Sequence, residues 1–598
     1  MLTILYFRDY FMPQYTAPIK DMQFVLHDWL NLSDHYQKLG LEDYDQGLVN
    51  EIINQGAKFS EEVIAPLNRE GDEQGCTLAD GVVTTPEGFA AAYQEYIANG
   101  WNAMLGSADY EGQDLPHTIA VPVQEMLSSA NLSWRLTSIL TESAILAVTK
   151  HASDELKNIY LAKLISGQWT GTMCLTEPQA GTDLSLLSTK AEPSEDGSFN
   201  ITGGKIFISA GDQDWSDNIV HLVLARLPDA PTGVKGISLF LVPKFLPNTD
   251  GSLGQANSLS VGSIEKKMGL KGSPTCVMNF DDAKGFLVGA PHTGLACMFT
   301  MMNDARFQVG LQGLAVGEAS YQGSLAYAID RLQSRAPQGV QQPDRKADGI
   351  IHQPDVRRML LTQKALVEGC RALSLLYAQQ MDIEKFTSDT NDKTKANNII
   401  AFLTPITKGF MTEMATELAN LGIQIYGGHG FIREWGMEQL VRDARITQLY
   451  EGTNGIQALD LISRKLARDK GTMLEDTYAL FASKVADIND ISAKTQADIL
   501  LQEWLSTAEQ LKTLNAIDLA AAATDFMHYS AYCLLGVIWL SMADTAKGSD
   551  NDSIKTGKAN TCAFYLKRLL PRKDGFKANL FNGAEDLMVV SADEFDYQ

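Results

Sequence analysis

The sequence is poor in features that mark several classes of protein. It has 49 Lys and Arg against 73 Asp and Glu, a formal net charge of -24 over 598 residues. Because nucleic acids and anionic membranes attract basic patches, this balance argues against both as partners. The seven scattered cysteines contain no CxxC pair, and the nine histidines show no HxxxH spacing. This pattern predicts no metal site and is typical of a reducing compartment.

Three kinds of segment are also missing. No GxGxxG motif opens a helix after a strand, so a Rossmann nucleotide site is not expected. The N-terminal run MLTILYFRDYF lacks a preceding basic region and a cleavage site, and is interpreted as part of the fold, not a signal peptide. The longest late apolar run, 531–543, is too short to span a bilayer and predicts a buried helix. We therefore expect a cytoplasmic protein without an integral membrane segment.

The periodicity of apolar residues changes along the chain. It is helical from about 21 to 166, apart from a polar break at 106–117. Short β-branched runs follow at 199–209, 218–227, 236–245 and 276–280, and the third is apolar enough for a strand buried on both sides. Helical periodicity returns from about Gly294 to Lys465, with a loop at 336–349 and a restart at Pro354.

This order predicts an α+β multidomain fold without a doubly wound sheet. The expected parts are an N-terminal extension (1–36), an N-terminal helical domain (37–166), a central β-barrel-like domain (167–290), a C-terminal helical bundle (291–468) and an additional C-terminal helical module (469–598). The apolar stripe of the last module predicts packing on another part of the protein, and comprises Leu501, Trp504, Leu505, Ala508 and Leu511. The polar stretch 548–558 predicts a turn or loop.

One carboxylate has a setting suited to chemistry. Glu451 occupies a short polar turn between two helical runs, downstream of the glycine cluster Gly427, Gly428 and Gly430. Removing a proton from carbon requires such a positioned base, and the glycines permit close backbone approach to a ligand. Taken alone, a YEGT turn is more simply a solvated helix start.

Five motifs occur together in one order. They are MCLTEPQAGTDLSLLSTKA from Met173, GGKIFISAG from Gly203, NDAR followed by YAIDRLQSR, HQPDVRRML from His352, and QIYGGHGF followed by YEGTNGIQ. Over about 21–468 this order resembles the acyl-CoA dehydrogenase family. The extra module and the sequence MFTMMNDAR resemble its longer subgroup, which includes methylthiopropanoyl-CoA and bacterial fatty acyl-CoA dehydrogenases.

The resemblance implies FAD-dependent α,β-dehydrogenation of an acyl-CoA thioester to trans-2-enoyl-CoA, in fatty acid β-oxidation or related catabolism. Glu451 would abstract the α-proton while flavin N5 accepts the β-hydride. The backbone N–H of this glutamate and a flavin ribityl hydroxyl would hold the thioester oxygen. An electron-transfer flavoprotein would be the electron acceptor.

Three alternatives stay open. One is a 3-(methylthio)propanoyl-CoA dehydrogenase, and a second is an acyl-CoA oxidase, in which oxygen reoxidises the flavin. The third is a nucleic-acid-associated flavoprotein. It is disfavoured because residues 470–598 hold 12 Lys and Arg against 18 Asp and Glu.

The resemblance also assigns binding residues. The expected FAD contacts are Met173, Cys174, Leu175, Thr176, Phe207, Ser209, Arg331, Gln353, Gln424, Gly427, Gly428, Thr453 and Asn454. The expected substrate contacts are Thr182, Arg306 and Gly452. Arg331, at helical spacing from Arg335, would reach the FAD pyrophosphate of a neighbouring subunit, which implies a homodimer.

Plain structural roles remain open for several of these residues. The strand at 173–176 would also suit an ordinary core, and Thr182 an ST-turn. Arg331 and Arg306 would also suit surface ion pairs. Met173 stands where many relatives carry an aromatic residue, whereas Phe207 and Ser209 stand where Trp and Thr are common.

Overall fold

A computed structural model describes residues 15–248 and 250–596. The N-terminal run MLTILYFRDYF lies outside the described residues. The chain divides into two compact units. Within the described residues, the larger unit comprises 15–58, 117–129 and 309–596, and the smaller unit comprises 59–116 and 130–308.

Helices dominate the chain outside the central β-rich segment. In chain order they are α1 (Ile19–Gln23), α2 (Leu32–Leu39), α3 (Gln46–Phe59), α4 (Leu67–Gln74), α5 (Phe89–Ala98), α6 (His117–Ala130), α7 (Leu132–His151), α8 (Asp154–Ile165), α9 (Gly294–Asp330), α10 (Pro354–Phe386), α11 (Thr390–Tyr426), α12 (Met437–Arg445), α13 (Asn454–Leu459), α14 (Thr472–Ala486), α15 (Ile491–Leu511), α16 (Ala516–Ala546), α17 (Asp552–Phe564), α18 (Arg572–Asn579) and α19 (Glu585–Met588). The predicted restart at Pro354 is confirmed, with the proline in the first turn of α10.

The strands lie in the smaller unit. They are β1 (Thr77–Ala79), β2 (Val82–Thr84), β3 (Trp169–Cys174), β4 (Lys190–Pro193), β5 (Phe199–Ser209), β6 (Asn218–Arg226), β7 (Ile237–Pro243), β8 (Phe245–Pro247), β9 (Leu253–Ala256), β10 (Leu259–Ile264) and β11 (Thr275–Val288). Seven of them form one sheet in the order β10-β11-β5-β4-β6-β3, and β7 pairs with both β11 and β6. Because β7 joins the two sides of that path, the sheet curls into the predicted barrel-like form.

The interior of the barrel explains the apolar run at 236–245. All seven residues of β7 are buried, as predicted for a strand covered on both faces. One core cluster fills the barrel, and includes Ile201, Phe240 and Phe280. A second cluster lies between the outer face of the sheet and helices α7 and α8, and includes Leu161, Leu222 and Leu239.

Two local predictions are wrong. The segment 21–166 is not helical throughout, because β1 and β2 form a hairpin across Asp80 and Gly81, whose positive φ angles of 51° and 80° suit a tight two-residue turn. The stretch 548–558 is not all loop either. Asn551 accepts hydrogen bonds from the backbone N–H groups of Ser553 and Ile554 and so begins α17 within the polar segment.

The helix containing Arg331 also ends earlier than predicted. Helix α9 ends at Asp330, and Leu332 forms an isolated β-bridge with Gly349, so Arg331 and Arg335 do not share a helix face. The predicted loop at 336–349 folds around Asp348. This buried carboxylate accepts hydrogen bonds from the backbone of Gln342 at 2.7 Å and from Arg335 at 3.2 Å.

The C-terminal helices pack as part of the larger unit. Helix α15 carries the predicted apolar stripe, in which Trp504 is fully buried and its indole donates to Ser530 on α16 at 3.0 Å. Helix α16 is long and apolar enough to cross a membrane, with a mean hydropathy of 1.3, but 89% of its most apolar stretch is buried. The run at 531–543 is therefore buried as predicted, although its helix is longer than the run suggested.

Buried charges tie distant segments of the larger unit together. Lys558 on α17 bonds to Asp21 on α1, and to Glu368 on α10 at 2.8 Å. Asp382 at the end of α10 accepts from the Thr118 hydroxyl at 2.6 Å and lies 3.4 Å from the His117 ring. Each of these four buried charges is matched by an opposite charge or a hydrogen-bond donor, as burial requires.

Candidate active site

Glu451 lies in a left-handed turn immediately before α13. Its φ angle is +56°, and that of the following Gly452 is +84°. A non-glycine residue in this region costs about 1–3 kcal/mol and persists only where neighbouring contacts hold it. The side-chain amide of Gln457 donates to the Glu451 carbonyl at 3.0 Å, and Thr453 caps α13. The turn therefore presents a partly exposed carboxylate from a restrained backbone.

A buried lysine supports this turn from α11. Lys408 is fully buried, and its Nζ donates to the Gly452 carbonyl at 2.8 Å and to Asn454 Oδ1 at 2.9 Å. The amide of Asn454 in turn donates to Glu413 at 2.8 Å and to Thr412 Oγ1 at 3.0 Å. The side chain of Asn454 is thus committed to holding the turn, and its expected FAD contact stays a prediction for its backbone only.

Tyr450 anchors the other side of the turn. Its hydroxyl donates to the Gln312 side chain on α9. Burial, together with the negative charge of Glu451, raises the pKa of Tyr450. The phenol therefore stays neutral and provides a fixed, uncharged neighbour for the carboxylate.

The glycine cluster follows the end of α11. Gly427 has a φ angle of +59°, and a Cβ added at Gly427 or Gly428 would meet no atom within 4 Å. Both glycines and Gln424 are exposed. Their backbone is open to a ligand, as predicted from the sequence, and Gly427 also ends helix α11.

An aromatic cluster places the end of α9 beside the glycines. Tyr327 stacks on Tyr426 with ring centroids 4.0 Å apart, and its hydroxyl pairs with His429 Nδ1 at 2.9 Å. His429 stacks on Trp435, also at 4.0 Å. Arg331 is exposed just after α9, and its backbone N–H donates to the Tyr327 carbonyl at 2.8 Å. Gln353 immediately precedes α10 and makes no side-chain capping bond; its amide donates to the Arg335 carbonyl at 3.3 Å.

In the smaller unit, β5 contains a bulge at Phe207. Ile208 pairs with Cys276 and Lys205 with Met278, so two residues of β5 oppose one residue of β11. Phe207 has a φ angle of +60°, and its side chain is 60% exposed. A bulge that turns a large ring into solvent is a feature of strands next to binding sites. The partly exposed Ser209 ends the same strand.

The turn after β3 is held against this bulge. The Ile206 N–H donates to the Thr176 carbonyl at 2.9 Å. Lys205 Nζ is buried and donates to Glu177 at 2.8 Å and to the Leu175 carbonyl at 3.1 Å. Burial would raise the pKa of Glu177, but Lys205 and neighbouring hydroxyl donors overcome it and lower that pKa to about 2.

Of the predicted contacts in and just after β3, two have inward side chains. Cys174 and Leu175 are buried, and burial raises the pKa of the Cys174 thiol to about 12. Only their backbone groups remain for a ligand. Met173 and Thr176 are partly exposed. The strand also ends at Cys174, so Leu175 and Thr176 belong to the following turn and not to the predicted strand.

The two predicted substrate contacts of this unit occupy different elements. Thr182 is exposed in the loop after β3, just before a short helical turn. Arg306 lies on α9, where it donates to Asn303 at 3.2 Å and its guanidinium lies 5.8 Å from the centre of the Phe299 ring. Their contacts with a substrate stay predictions.

Models of known protein domains match most of this chain. Residues 50–168, 172–283 and 292–466 match the N-terminal, middle and C-terminal domain models of acyl-CoA dehydrogenase. Residues 489–591 match the model "Acetyl-CoA dehydrogenase C-terminal like". The chain belongs to the acyl-CoA dehydrogenase family.

Some relatives in this family match this chain over nearly its whole length. The chain is 44% identical to 3-methylmercaptopropionyl-CoA dehydrogenase of Ruegeria pomeroyi over 485 residues, covering 81% of each protein. It is 30% identical to the broad-specificity linear acyl-CoA dehydrogenase FadE5 of Mycobacterium tuberculosis, covering 94% of this chain and 96% of that protein.

Solved structures agree with the fold. An acyl-CoA dehydrogenase of Bacillus anthracis complexed with FAD matches with a TM-score of 0.71 at 19% identity, covering 90% of this chain and 88% of that one. A chain from a solved structure of an electron transferring flavoprotein of Acidaminococcus fermentans matches with a TM-score of 0.58 at 26% identity, covering 70% of this chain and 98% of that one.

This acyl-CoA dehydrogenase is therefore an FAD-dependent oxidoreductase that acts on CH–CH bonds of acyl-CoA thioesters. The residues of each unit fit that cofactor. The exposed ring of Phe207 offers a stacking surface for a flat heterocycle. The open glycine turn and the exposed Arg331 offer backbone donors and a guanidinium for phosphates.

Sequence reasoning missed the residues that support the site. Lys408, Lys205 and Glu177 had no role in the prediction, although Lys205 and Glu177 stand inside quoted motifs. The aromatic residues around His429 were missed as well. The available signal was a charged residue within an otherwise apolar run, such as Lys408 in ITKGFM, which indicates a buried and therefore paired group.

Proposed function

We propose that Glu451 is the base that removes the α-proton of the acyl-CoA substrate. The observation that carries this proposal is its left-handed turn, which Lys408 and Gln457 hold. A carbon acid next to a thioester is weak, so the carboxylate must be positioned before the proton can move. A carboxylate held in a sparsely populated backbone conformation by neighbouring contacts is the pattern expected of such a positioned group.

The reaction requires two hydrogens to leave neighbouring carbons. The α-hydrogen leaves as a proton to the Glu451 carboxylate, and the β-hydrogen leaves with its electron pair as the carbon–carbon double bond forms. Bound FAD supplies the acceptor for that electron pair. The Glu451 backbone N–H is the proposed donor to the thioester oxygen, where negative charge develops as the proton is removed.

For the substrate we propose a short acyl-CoA. The 44% identical relative is named for 3-methylmercaptopropionyl-CoA, which favours this thioester as the first candidate. A linear saturated acyl-CoA is the second candidate, favoured by the 30% identical relative named for broad-specificity linear substrates. Both substrates use the same α-proton chemistry, so the choice between them does not alter the role of Glu451.

The proposed setting is a cytoplasmic homodimer that passes electrons to an electron-transfer flavoprotein. One of the matching solved structures is named for an electron transferring flavoprotein, which supports this acceptor. The dimer is supported by the exposed apolar side chains beside the glycine turn, since Phe431 is 80% and Ile432 is 46% exposed. A contiguous exposed apolar surface is typical of an interface.

The decisive experiment replaces Glu451 by Gln and uses Glu509→Gln, a change at an exposed helix residue, as the matched control. We expect Glu451→Gln to retain FAD and to lose at least about 10³-fold in kcat with a dye acceptor, because the base is absent. The substrate panel should contain 3-(methylthio)propanoyl-CoA, butyryl-CoA and a long-chain acyl-CoA. Normal turnover by Glu451→Gln would exclude the proposed mechanism, while anaerobic and aerobic assays separate a dehydrogenase from an oxidase.

A further inference from the structure

The larger unit contains a cavity of about 750 Å³ that the proposed reaction does not use. It lies between α11 of the bundle and the C-terminal helices α16 and α18. Its volume is within the range of about 300–1,000 Å³ that small-molecule sites occupy. The side chains that give it chemical character are Phe410, Glu413, Glu417, His528, Tyr532 and Phe576.

Four rings form one wall of this cavity. His528 stacks on Phe576 with centroids 4.8 Å apart and planes 11° apart, and Tyr532 stacks on Phe576 at 5.9 Å. Phe410 meets Tyr532 edge-on at 5.2 Å. Stacked rings of this kind present π-electron density, which attracts a cation within about 6 Å of a ring centre.

His528 does not supply a positive charge of its own. Burial lowers the pKa of this imidazole, although the nearby carboxylates of Glu413, Asp525 and Glu417 oppose that effect. At neutral pH the ring is therefore uncharged and acts as part of the aromatic wall. The charged side chains that line the cavity are then the carboxylates of Glu413 and Glu417 and one guanidinium.

That guanidinium is already matched. Arg572 on α18 makes a two-pronged contact with Glu417, at 3.0 and 2.8 Å, and also donates to the Tyr532 hydroxyl at 3.0 Å. The Glu413 carboxylate receives a hydrogen bond from the neutral Asn454 amide, which leaves its negative charge in place. The cavity consequently has a negative excess beside its aromatic wall, and an anion placed there would be repelled.

We propose that this cavity binds a small organic cation, an ammonium group carried on an apolar or aromatic body. The carboxylate of Glu413 attracts the charge, and the stacked rings of Phe576, Tyr532 and His528 receive the body. Both contacts come from one compact unit, and neither contains a residue assigned to the flavin or the acyl-CoA. The site therefore lies in the seam between the bundle helix α11 and the C-terminal helices α16 and α18.

The test measures binding of benzyltrimethylammonium to the full-length, FAD-loaded protein by titration calorimetry at neutral pH and low salt. Benzyl alcohol and phenylacetate serve as the neutral and anionic counterparts. The cavity variants are Glu413→Gln and Phe576→Ala. Their matched controls are Glu475→Gln and Phe581→Ala, exposed positions that do not line the cavity.

We expect the cation to bind and the two counterparts not to bind. Each cavity variant should weaken binding by about tenfold, the factor that 1.4 kcal/mol represents, while the control variants retain it. Thermal melting and flavin content confirm that each variant is folded. Equal binding of benzyl alcohol, unchanged binding in both cavity variants, or no binding of the cation at all would overturn the proposal. None of these outcomes depends on Glu451 or on turnover.

Discussion

Replacing Lys408 by Met tests whether the Glu451 turn depends on its buried support. The change keeps a chain of similar length on α11 but removes two hydrogen bonds, to the Gly452 carbonyl at 2.8 Å and to Asn454 Oδ1 at 2.9 Å. Partial substitutes remain, since Gln457 lies 3.4 Å from the same carbonyl and the Thr412 hydroxyl 3.3 Å from the same amide oxygen. The turn should therefore loosen without unfolding the bundle.

The expected size follows from those bonds. A hydrogen bond to a charged group contributes about 1.5–3 kcal/mol, and the left-handed conformation of Glu451 costs about 1–3 kcal/mol to maintain. If the turn loses the stabilisation of one such bond, it relaxes, and the carboxylate is no longer held in place. At 1.4 kcal/mol per factor of ten, kcat should then fall by about 10- to 100-fold. We expect KM and flavin content to change much less, because Lys408 is buried and supports the turn that holds the proposed base.

The assay is dye-coupled acyl-CoA oxidation, run beside urea denaturation and flavin absorbance. Lys393→Met, at an exposed position near the start of α11, is the matched control and should behave as the unmodified protein. A double variant that also carries Glu451→Gln completes a double-mutant cycle. The losses in kcat of the two single variants should not be additive if Lys408 acts through Glu451. A kcat within about twofold of the unmodified value would refute the reasoning. So would a loss of stability and flavin that accounts for all of the lost activity.

Three further predictions concern other parts of the chain. Phe207→Ala should weaken FAD retention by about 3- to 10-fold because it removes the proposed stacking ring, and it should change stability little because that ring is 60% exposed. Phe595→Ala is the exposed control, and unchanged FAD retention in Phe207→Ala would contradict the stacking role. Lys558→Met should lower the free energy of unfolding by about 1.5–3 kcal/mol, because Asp21 and Glu368 lose their shared lysine while Arg371 and Lys364 still contact them; Lys555→Met should have no effect in the same denaturation assay. Burial would raise the pKa of Asp382, but the neighbouring histidines lower it to about 2 from 3.8, so its contribution of about 2 kcal/mol is present above pH 4 and is lost as pH falls towards 2. Asp382→Asn should remove that part of the acid sensitivity, and an unchanged profile contradicts it.

The sequence predicted elements well where periodicity was strong and local. The strand at 199–209 and the helix starting at Pro354 have the predicted limits, because β-branched alternation and a first-turn proline each act within a few residues. The end of α9 at Asp330 was missed because the sequence there, DRLQSR, is fully compatible with a helix. Two contacts override that propensity: the β-bridge between Leu332 and Gly349, and the hydrogen bonds that the loop backbone donates to Asp348. Asp348 lies 18 residues after the helix end.

The candidate site shows the same division. Motifs indicated Glu451 and the glycine turn, since each motif lies within one short segment. Its supports were out of reach because Lys408 and Gln312 approach the turn from other helices, 43 and 139 positions away in sequence from Glu451. Contacts between elements depend on packing, which a single sequence does not express. The bulge at Phe207 was missed for a related reason, because a bulge depends on the register with β11.

The C-terminal helices are an integral part of the larger unit. Trp539 on α16 donates to the Ala365 carbonyl on α10 at 3.0 Å, and Trp29 donates to Ser541 on α16 at 2.9 Å. A buried indole without an acceptor is costly, so each of these helices satisfies groups that another helix buries. The long apolar helix α16 is accordingly stabilised by protein on almost every side.

The buried charges show why the extension cannot be an independent addition. Arg371 on α10 is matched by Asp21 and Glu125, both at 2.6 Å, and by Glu318. These are more carboxylates than one guanidinium can neutralise, and Asp21 is shared with Lys558 of α17. Because unpaired buried charge is far more costly than exposed charge, the bundle carries an acidic excess that a lysine of the C-terminal extension offsets. The seam that holds the proposed cation site is therefore built by the same helices that complete the electrostatics of the bundle.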